Sequence, residues 1–192
     1  MNFNNCIIGL KNTARTGWMQ RGVPSSIAES VAEHSYHAAM IAGLIASKLN
    51  ARGVRVDLYK AMAIAVIHDT PECVIGDIPL YIQRECKEVL DCKKKVEVKA
   101  FEDIVGGSRD LVELYLEWSR ESSIEAIIAR VSDKLSTLIQ ACEYYKTGYA
   151  RVIEIAESCL NSIKKYFETV NGLEDIVREI LRPYLSIFKK LI

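Results

Sequence analysis

Apolar residues return every three or four positions along nearly the whole chain, a spacing that predicts helices joined by short connections. Val31, Ala38, Ile41, Ala42, Ile45 and Leu49 form one such stripe, and Ser30 with Glu33 three residues later has the form of a capping box at its start. Asp57 marks a second start before the run from Leu58 to His68, and Ser122 with Glu125 marks a third. A further helix is expected from about Lys87 to Val105, ended by Gly106-Gly107. Others are expected over Asp110 to Trp118, Ile124 to Tyr145, Tyr149 to Tyr166 and Leu173 to Lys190, the last interrupted near Pro183. Only 4 prolines and 10 glycines punctuate the pattern, and neither a linker nor an internal repeat divides it. The expected fold class is all-α, a single domain over residues 1–192 whose helices from 149 to 190 complete or extend it.

With 192 residues, 49% of them hydrophobic and 26% charged, the chain has material for a sizeable core without disulfides or metal staples. Lys plus Arg at 25 balance Asp plus Glu at 25, which removes the overall field that a non-specific binder of nucleic-acid polymers would use. The apolar run from Ala61 to Ile67 is far shorter than the roughly 20 residues of a membrane span, and Lys11 soon follows the apolar Cys6 to Leu10. No membrane segment and a cytoplasmic location are therefore expected. Six scattered cysteines contain no C-x-x-C pair and read as buried small hydrophobes. Lys93-Lys94-Lys95 reads as a solvated helix face in preference to a phosphate-steering patch.

Of three histidines, two fall where the periodicity points inward: His34 with Ala38, Ile41 and Ile45, and His68 with Ala61 and Ala65. A single inward histidine is commonly a satisfied core residue, so it is the combination that matters. Asp69 follows His68 where an apolar helix leaves the core, setting an imidazole and a carboxylate side by side. Asp133 shares a helix side with Ala126, Ala129 and Gln140, which permits close helix approach. A surface ion pair with Arg130 three residues before it is the reading favoured without other information. Spacing leaves that choice open.

Four ordered blocks carry a resemblance: Glu29-Ser30-Val31-Ala32-Glu33-His34-Ser35, His68-Asp69-Thr70-Pro71-Glu72, Gly76-Asp77-Ile78 and Ser132-Asp133-Lys134-Leu135. Together they resemble the HD-domain phosphohydrolases, and with Arg15-Thr16-Gly17-Trp18 they are similar to the 5'-deoxynucleotidase branch, from about Arg15 to Leu135. The resemblance implies an HD-domain helical bundle and a divalent metal held by His34, His68, Asp69 and Asp133. Four protein donors leave about two positions of an octahedral ion open. Nitrogen and oxygen donors without thiolate suit Mn²⁺, Co²⁺, Fe²⁺, Zn²⁺ or Mg²⁺, and the lack of any histidine after His68 implies one ion per chain.

Arg15 resembles the family's phosphate-binding arginine, with Arg21 as the substitute if the alignment shifts. Thr16 and Gly17 separate Arg15 from Trp18, whereas bacterial members of the branch place arginine and tryptophan side by side. Glu72 is implied as the residue that positions or deprotonates water, and Asp77 as the residue facing the sugar or leaving group. Trp18 is either a site wall that excludes a ribose 2'-hydroxyl or a core residue, and His37 is read as a packed polar residue. The implied reaction converts deoxyribonucleoside 5'-monophosphates to deoxynucleosides and phosphate. The alternatives are a triphosphate, cyclic or signalling nucleotide as substrate, or an idle metal- or nucleotide-binding module. A homodimer is expected, with Leu185, Ile187, Phe188, Leu191 and Ile192 as surface for it.

Overall fold

The stripe after Ser30 becomes the central helix of the domain. The computed structural model describes residues 2–76 and 87–188, and every regular element within them is helical. The long elements are α3 (Val31–Ala51), α4 (Leu58–Ile67), α6 (Lys87–Ile104), α7 (Arg109–Arg120), α8 (Ile124–Lys146) and α9 (Ile153–Lys164). Around them lie α1 (Phe3–Asn12), α2 (Thr16–Met19), α5 (Glu72–Ile75), α10 (Leu173–Leu181) and α11 (Leu185–Phe188). The interruption expected at Pro183 is a 3-10 turn over Arg182–Tyr184.

Ser30 and Glu33 close the anticipated capping box, each side chain bonding the other residue's backbone N–H. Asp57 caps α4 by accepting from the Lys60 N–H. The start of α8 differs from the expectation by one residue: Ser123 is the cap, accepting from the Ala126 N–H. Glu125 does not complete a box with Ser122, because its carboxylate accepts the Asp57 backbone N–H at 2.9 Å. That bond ties the starts of α4 and α8 together.

α3 packs against both α4 and α8, α4 also packs on α8, and α9 covers the far side of α8. Alanines line this junction: Ala38, Ala42, Ala61, Ala65, Ala126 and Ala129 are all fully buried. Gly43 lies where α3 approaches α4, and a Cβ there would lie 2.8 Å from Met62 Sδ, so the flexible Met62 side chain would have to shift. Ile45, Leu49, Ile64, Ile128, Leu135 and Leu138 fill the remaining space. Each fully buried aliphatic side chain of this kind contributes about 1.5–3 kcal/mol.

A smaller cluster of Cys6, Leu10, Val31 and Ile104 docks α1 against α3 and α6. Here the reading of all six cysteines as unpaired hydrophobes is corrected: Cys6 and Cys73 form a disulfide linking α1 to α5. Spacing cannot disclose such a pairing, because the two residues are 67 apart and meet only once α1 has folded over the bundle. Cys142 and Cys159 are free and buried as expected, Cys92 is free and exposed, and Cys86 lies outside the described residues. Among the described residues no helix is long and apolar enough to cross a membrane. Reduction, or Cys73→Ser, is expected to lower stability by about 2–4 kcal/mol, measured as a shift of the urea midpoint at unchanged slope.

Candidate metal centre

Three helices bring the polar residues together inside the bundle. His34 comes from the second turn of α3, His68 and Asp69 from the C-terminal end of α4, and Asp133 from the middle of α8. His34, His68 and Asp133 are buried, and their ligand atoms lie within 4.8 Å of one another, a possible metal-binding triad. His34 Nε2 is 3.2 Å from Asp133 Oδ1, and His68 Nε2 is 3.9 Å from the same oxygen. Asp69 Oδ2 completes the group, 3.0 Å from His68 Nε2 and 3.8 Å from His34 Nε2. The surface pair between Asp133 and Arg130 does not form. Arg130 instead stacks on the Trp118 ring at 3.3 Å from its centroid, and Lys134 Nζ lies 2.9 Å from Asp133 Oδ2.

The imidazoles are held in orientations that suit ligation. His68 Nδ1 is 2.7 Å from the Ala65 carbonyl, which can only accept, so Nδ1 carries a proton and donates it. His68 Nε2 then points into the cluster, fully buried and without a hydrogen bond. Trp118 lies edge-on to the same ring at 4.9 Å. On α8, Ser136 Oγ lies 3.2 Å from His34 Nδ1 and 3.1 Å from His37 Nδ1, fixing both rings from one position. His37 is thus a partly buried neighbour, as the packed-polar reading has it.

The field at the cluster calls for positive charge. Burial, and after it the Arg15 charge, lower the His34 pKa to about 4 against the pull of Asp133 and Asp69. At His68 burial also disfavours the cation, yet Asp69 and Asp133 outweigh it and raise the pKa. Burial opposes the charge on Asp133, but Lys134 and His34 hold it well below the carboxylate range. Asp69 is likewise held down, by His68 and Arg15. Two ionised carboxylates beside an orphaned buried imidazole nitrogen fit a divalent cation, which would satisfy Nε2 and the negative charge together.

Arg15 reaches the cluster from the turn after α1. Its NH1 donates to Asp69 Oδ2 at 2.9 Å and its NH2 to Thr137 Oγ1 at 3.5 Å. Burial disfavours the guanidinium charge, and Asp69 and Glu29 more than compensate, holding its pKa above the ordinary value. Arg21, the substitute, is turned away to Glu154 at 3.1 Å. Trp18 is 1% exposed and its Nε1–H donates to Glu29 Oε1 at 2.9 Å, the burial that the core alternative describes. Glu72 is buried on α5, one turn past Asp69, and its charge acts on Arg15. The helix pauses over residues 68–71, where Pro71 has no N–H to give, and resumes at Glu72.

Asp77 lies outside the described residues. Lys94 and Lys95 are exposed, as on a solvated face, whereas the Lys93 side chain is only 14% exposed and pairs with Glu97 at 2.6 Å. Of the C-terminal surface, Leu185 is exposed and Ile187 half-buried; the Phe188 side chain, Leu191 and Ile192 fall outside the described residues. Sequence reasoning missed Glu29, Ser136 and Thr137. Ser136 stands at i+3 from Asp133, the one signal that could have singled it out.

A family model described as HD domain matches residues 8–173. A 5'-deoxynucleotidase of Dictyostelium discoideum is 28% identical over 166 residues, covering 85% of this chain and 83% of the relative. A 5'-deoxynucleotidase of Danio rerio is 30% identical over 146 residues, 75% of this chain and 68% of the relative. Among solved structures, a conserved hypothetical protein from Pyrococcus furiosus is 33% identical with a TM-score of 0.78, covering 94% of this chain and 96% of that one. An HD-domain phosphohydrolase from Listeria innocua shares the fold, with 24% identity, a TM-score of 0.74 and coverage of 97% and 90%. Ser136→Ala removes the hydroxyl that steadies His34 and is expected to weaken metal affinity by about 10–100-fold, measured by competition with a chromogenic chelator.

Proposed function

Since the chain belongs to the HD-domain family, we propose that it is a metal-dependent 5'-deoxynucleotidase, cleaving deoxyribonucleoside 5'-monophosphates to deoxynucleosides and phosphate. The observation that carries this reading is the convergence of His34, His68, Asp69 and Asp133 on one buried point with Arg15 beside it. The monophosphate substrate follows the names of the relatives. All four residues would hold one divalent ion per chain, His68 through its Nε2, with Ser136 and the Ala65 carbonyl fixing the ring orientations. When bound, the ion supplies Lewis-acid polarisation of the phosphoryl oxygen and lowers the pKa of water.

Arg15 takes the phosphate. Its NH1 and NH2 present a planar two-point edge, now turned to Asp69 and Thr137, that matches two phosphoryl oxygens and stabilises charge developing on them. Glu72 accepts the proton from the attacking water and returns it to the departing 5'-oxygen as the bond to phosphorus breaks. Asp77 is assigned to the sugar and leaving-group side on the sequence resemblance. The reading also includes a cytoplasmic homodimer without nucleic-acid partners. Tyr36, Met40 and Leu44 on α3 and Tyr59 and Val66 on α4 are large exposed hydrophobic residues and support the dimer.

Chelated protein reconstituted with Mn²⁺, Co²⁺, Mg²⁺ or Zn²⁺ is expected to release phosphate from dAMP and not from AMP. Turnover of triphosphates or cyclic nucleotides alone would refute the monophosphate assignment. Glu72→Ala should retain the metal, measured by elemental analysis, while kcat falls by about 10²–10⁴-fold; unchanged turnover would remove Glu72 from the mechanism.

A further inference from the structure

We infer that Glu29 is the positioning residue for Arg15: its buried carboxylate holds the Nε side of the guanidinium so that NH1 and NH2 face the metal centre. The inference rests on the reading of Arg15 as the phosphate-binding residue. It begins with the backbone. Residues 13–15 run antiparallel to residues 29–31, with a bridge between Ala14 and Ser30. The Arg15 N–H donates to the Glu29 carbonyl at 3.1 Å and the Val31 N–H to the Thr13 carbonyl at 2.9 Å. Arg15 and Glu29 therefore keep a fixed separation at the main chain.

The Glu29 side chain is fixed as well. Its Oε1 accepts the Trp18 indole N–H at 2.9 Å and lies 3.9 Å from Arg15 Nε. Trp18 packs edge-on to Tyr144 at 5.3 Å. Tyr144 in turn accepts the Glu29 backbone N–H at 2.7 Å and donates to the Ile27 carbonyl at 2.9 Å. A carboxylate held at Oε1 by the Trp18 indole, on a backbone that Tyr144 holds, is placed as a fixed counter-charge for Arg15.

The need for such a counter-charge follows from the other end of Arg15. NH1 is bonded to Asp69 Oδ2, an oxygen the proposed metal site claims. Once that oxygen turns to a cation and a phosphate arrives, NH1 and NH2 must exchange partners. Glu29 is a carboxylate contact of Arg15 that lies apart from the metal ligands, so it keeps the guanidinium in register through the exchange. A guanidinium without it would be free to follow Asp69 or to swing out of the site.

The test uses metal-reconstituted protein at pH 8, above the value of about 7 to which burial pushes the Glu29 carboxyl against Arg15 and Trp18. Glu29→Gln keeps an oxygen for the Trp18 N–H and nearly the same shape but removes the charge. The KM for dAMP and the calorimetric Kd for inorganic phosphate are expected to rise together by about tenfold, with kcat within about threefold and Tm near the parent value. In an Arg15→Ala background the same substitution should leave the phosphate Kd unchanged. An unchanged phosphate Kd in the single variant, or an equal rise without Arg15, would overturn the inference; a purely structural role would lower Tm and leave the split between KM and kcat unmoved. If Glu29→Gln does not fold, Trp18→Phe frees Oε1 while keeping the charge, and a raised phosphate Kd supports the inference where an unchanged one overturns it. Parent protein that binds phosphate through Arg15 yet hydrolyses no deoxynucleotide refutes the substrate reading alone, whereas parent protein that binds no phosphate overturns the inference.

Discussion

Asp69 and Asp133 carry negative charge into a bundle whose helices otherwise meet through alanines and leucines, and the architecture around them answers that burial. An ion taken out of water costs several kcal/mol even after relaxation unless partners surround it. Asp133 has His34 on one oxygen and Lys134 on the other, and Asp69 has Arg15 and His68 on one oxygen. Those partners come from the turn before α2, from α3, from the end of α4 and from α8 itself. The charges therefore dictate which segments must meet, and the small residues at the junction let them meet closely.

The same economy of geometry fixes the imidazoles. α4 stops at Ile67, and the last carbonyls of any helix lack intrahelical donors. Ala65 thereby has a carbonyl free for His68 Nδ1, and the end of the helix sets the tautomer that leaves Nε2 available. His34 lies within a helix, where its own turn offers no such acceptor. Ser136, reaching across from α8, takes that role and contacts His37 as well. Helix ends and helix crossings thus supply by different routes the same service to two rings.

What could be read in the sequence divides along this line. The stripe of α3, its capping box, the inward His34 and His68 and the all-helical class depend on neighbours within a few residues, and periodicity carries them. Asp133 was undecided between a buried site and a pair with Arg130, because the choice turns on Trp118, which captures Arg130 from another helix. The one-residue shift from Ser122 to Ser123 has a similar cause, since Glu125 is taken by Asp57. The disulfide and the contacts of Glu29 join segments that come together only through the fold. No pattern in the chain announces them.

A division of labour within the domain follows from where these late-forming contacts lie. The proposed metal ligands sit on α3, α4 and α8, the interior helices with the densest apolar packing. Arg15 and Glu72 instead lie on peripheral segments, the turn after α1 and the short α5, and both are tied to α1: Arg15 by two residues of chain beyond its C-cap, Glu72 through its neighbour Cys73 and the disulfide to Cys6. Contacts on the periphery open at lower free energy than those of a core. Disturbing α1 would therefore displace the residues that handle phosphate and proton before it reached those that hold the ion. The Cys6–Cys73 link joins the two peripheral helices to each other, the Arg15–Glu29 pairing joins the segment after α1 to the start of α3, and each secures one of the two groups that the proposed chemistry requires to be held still.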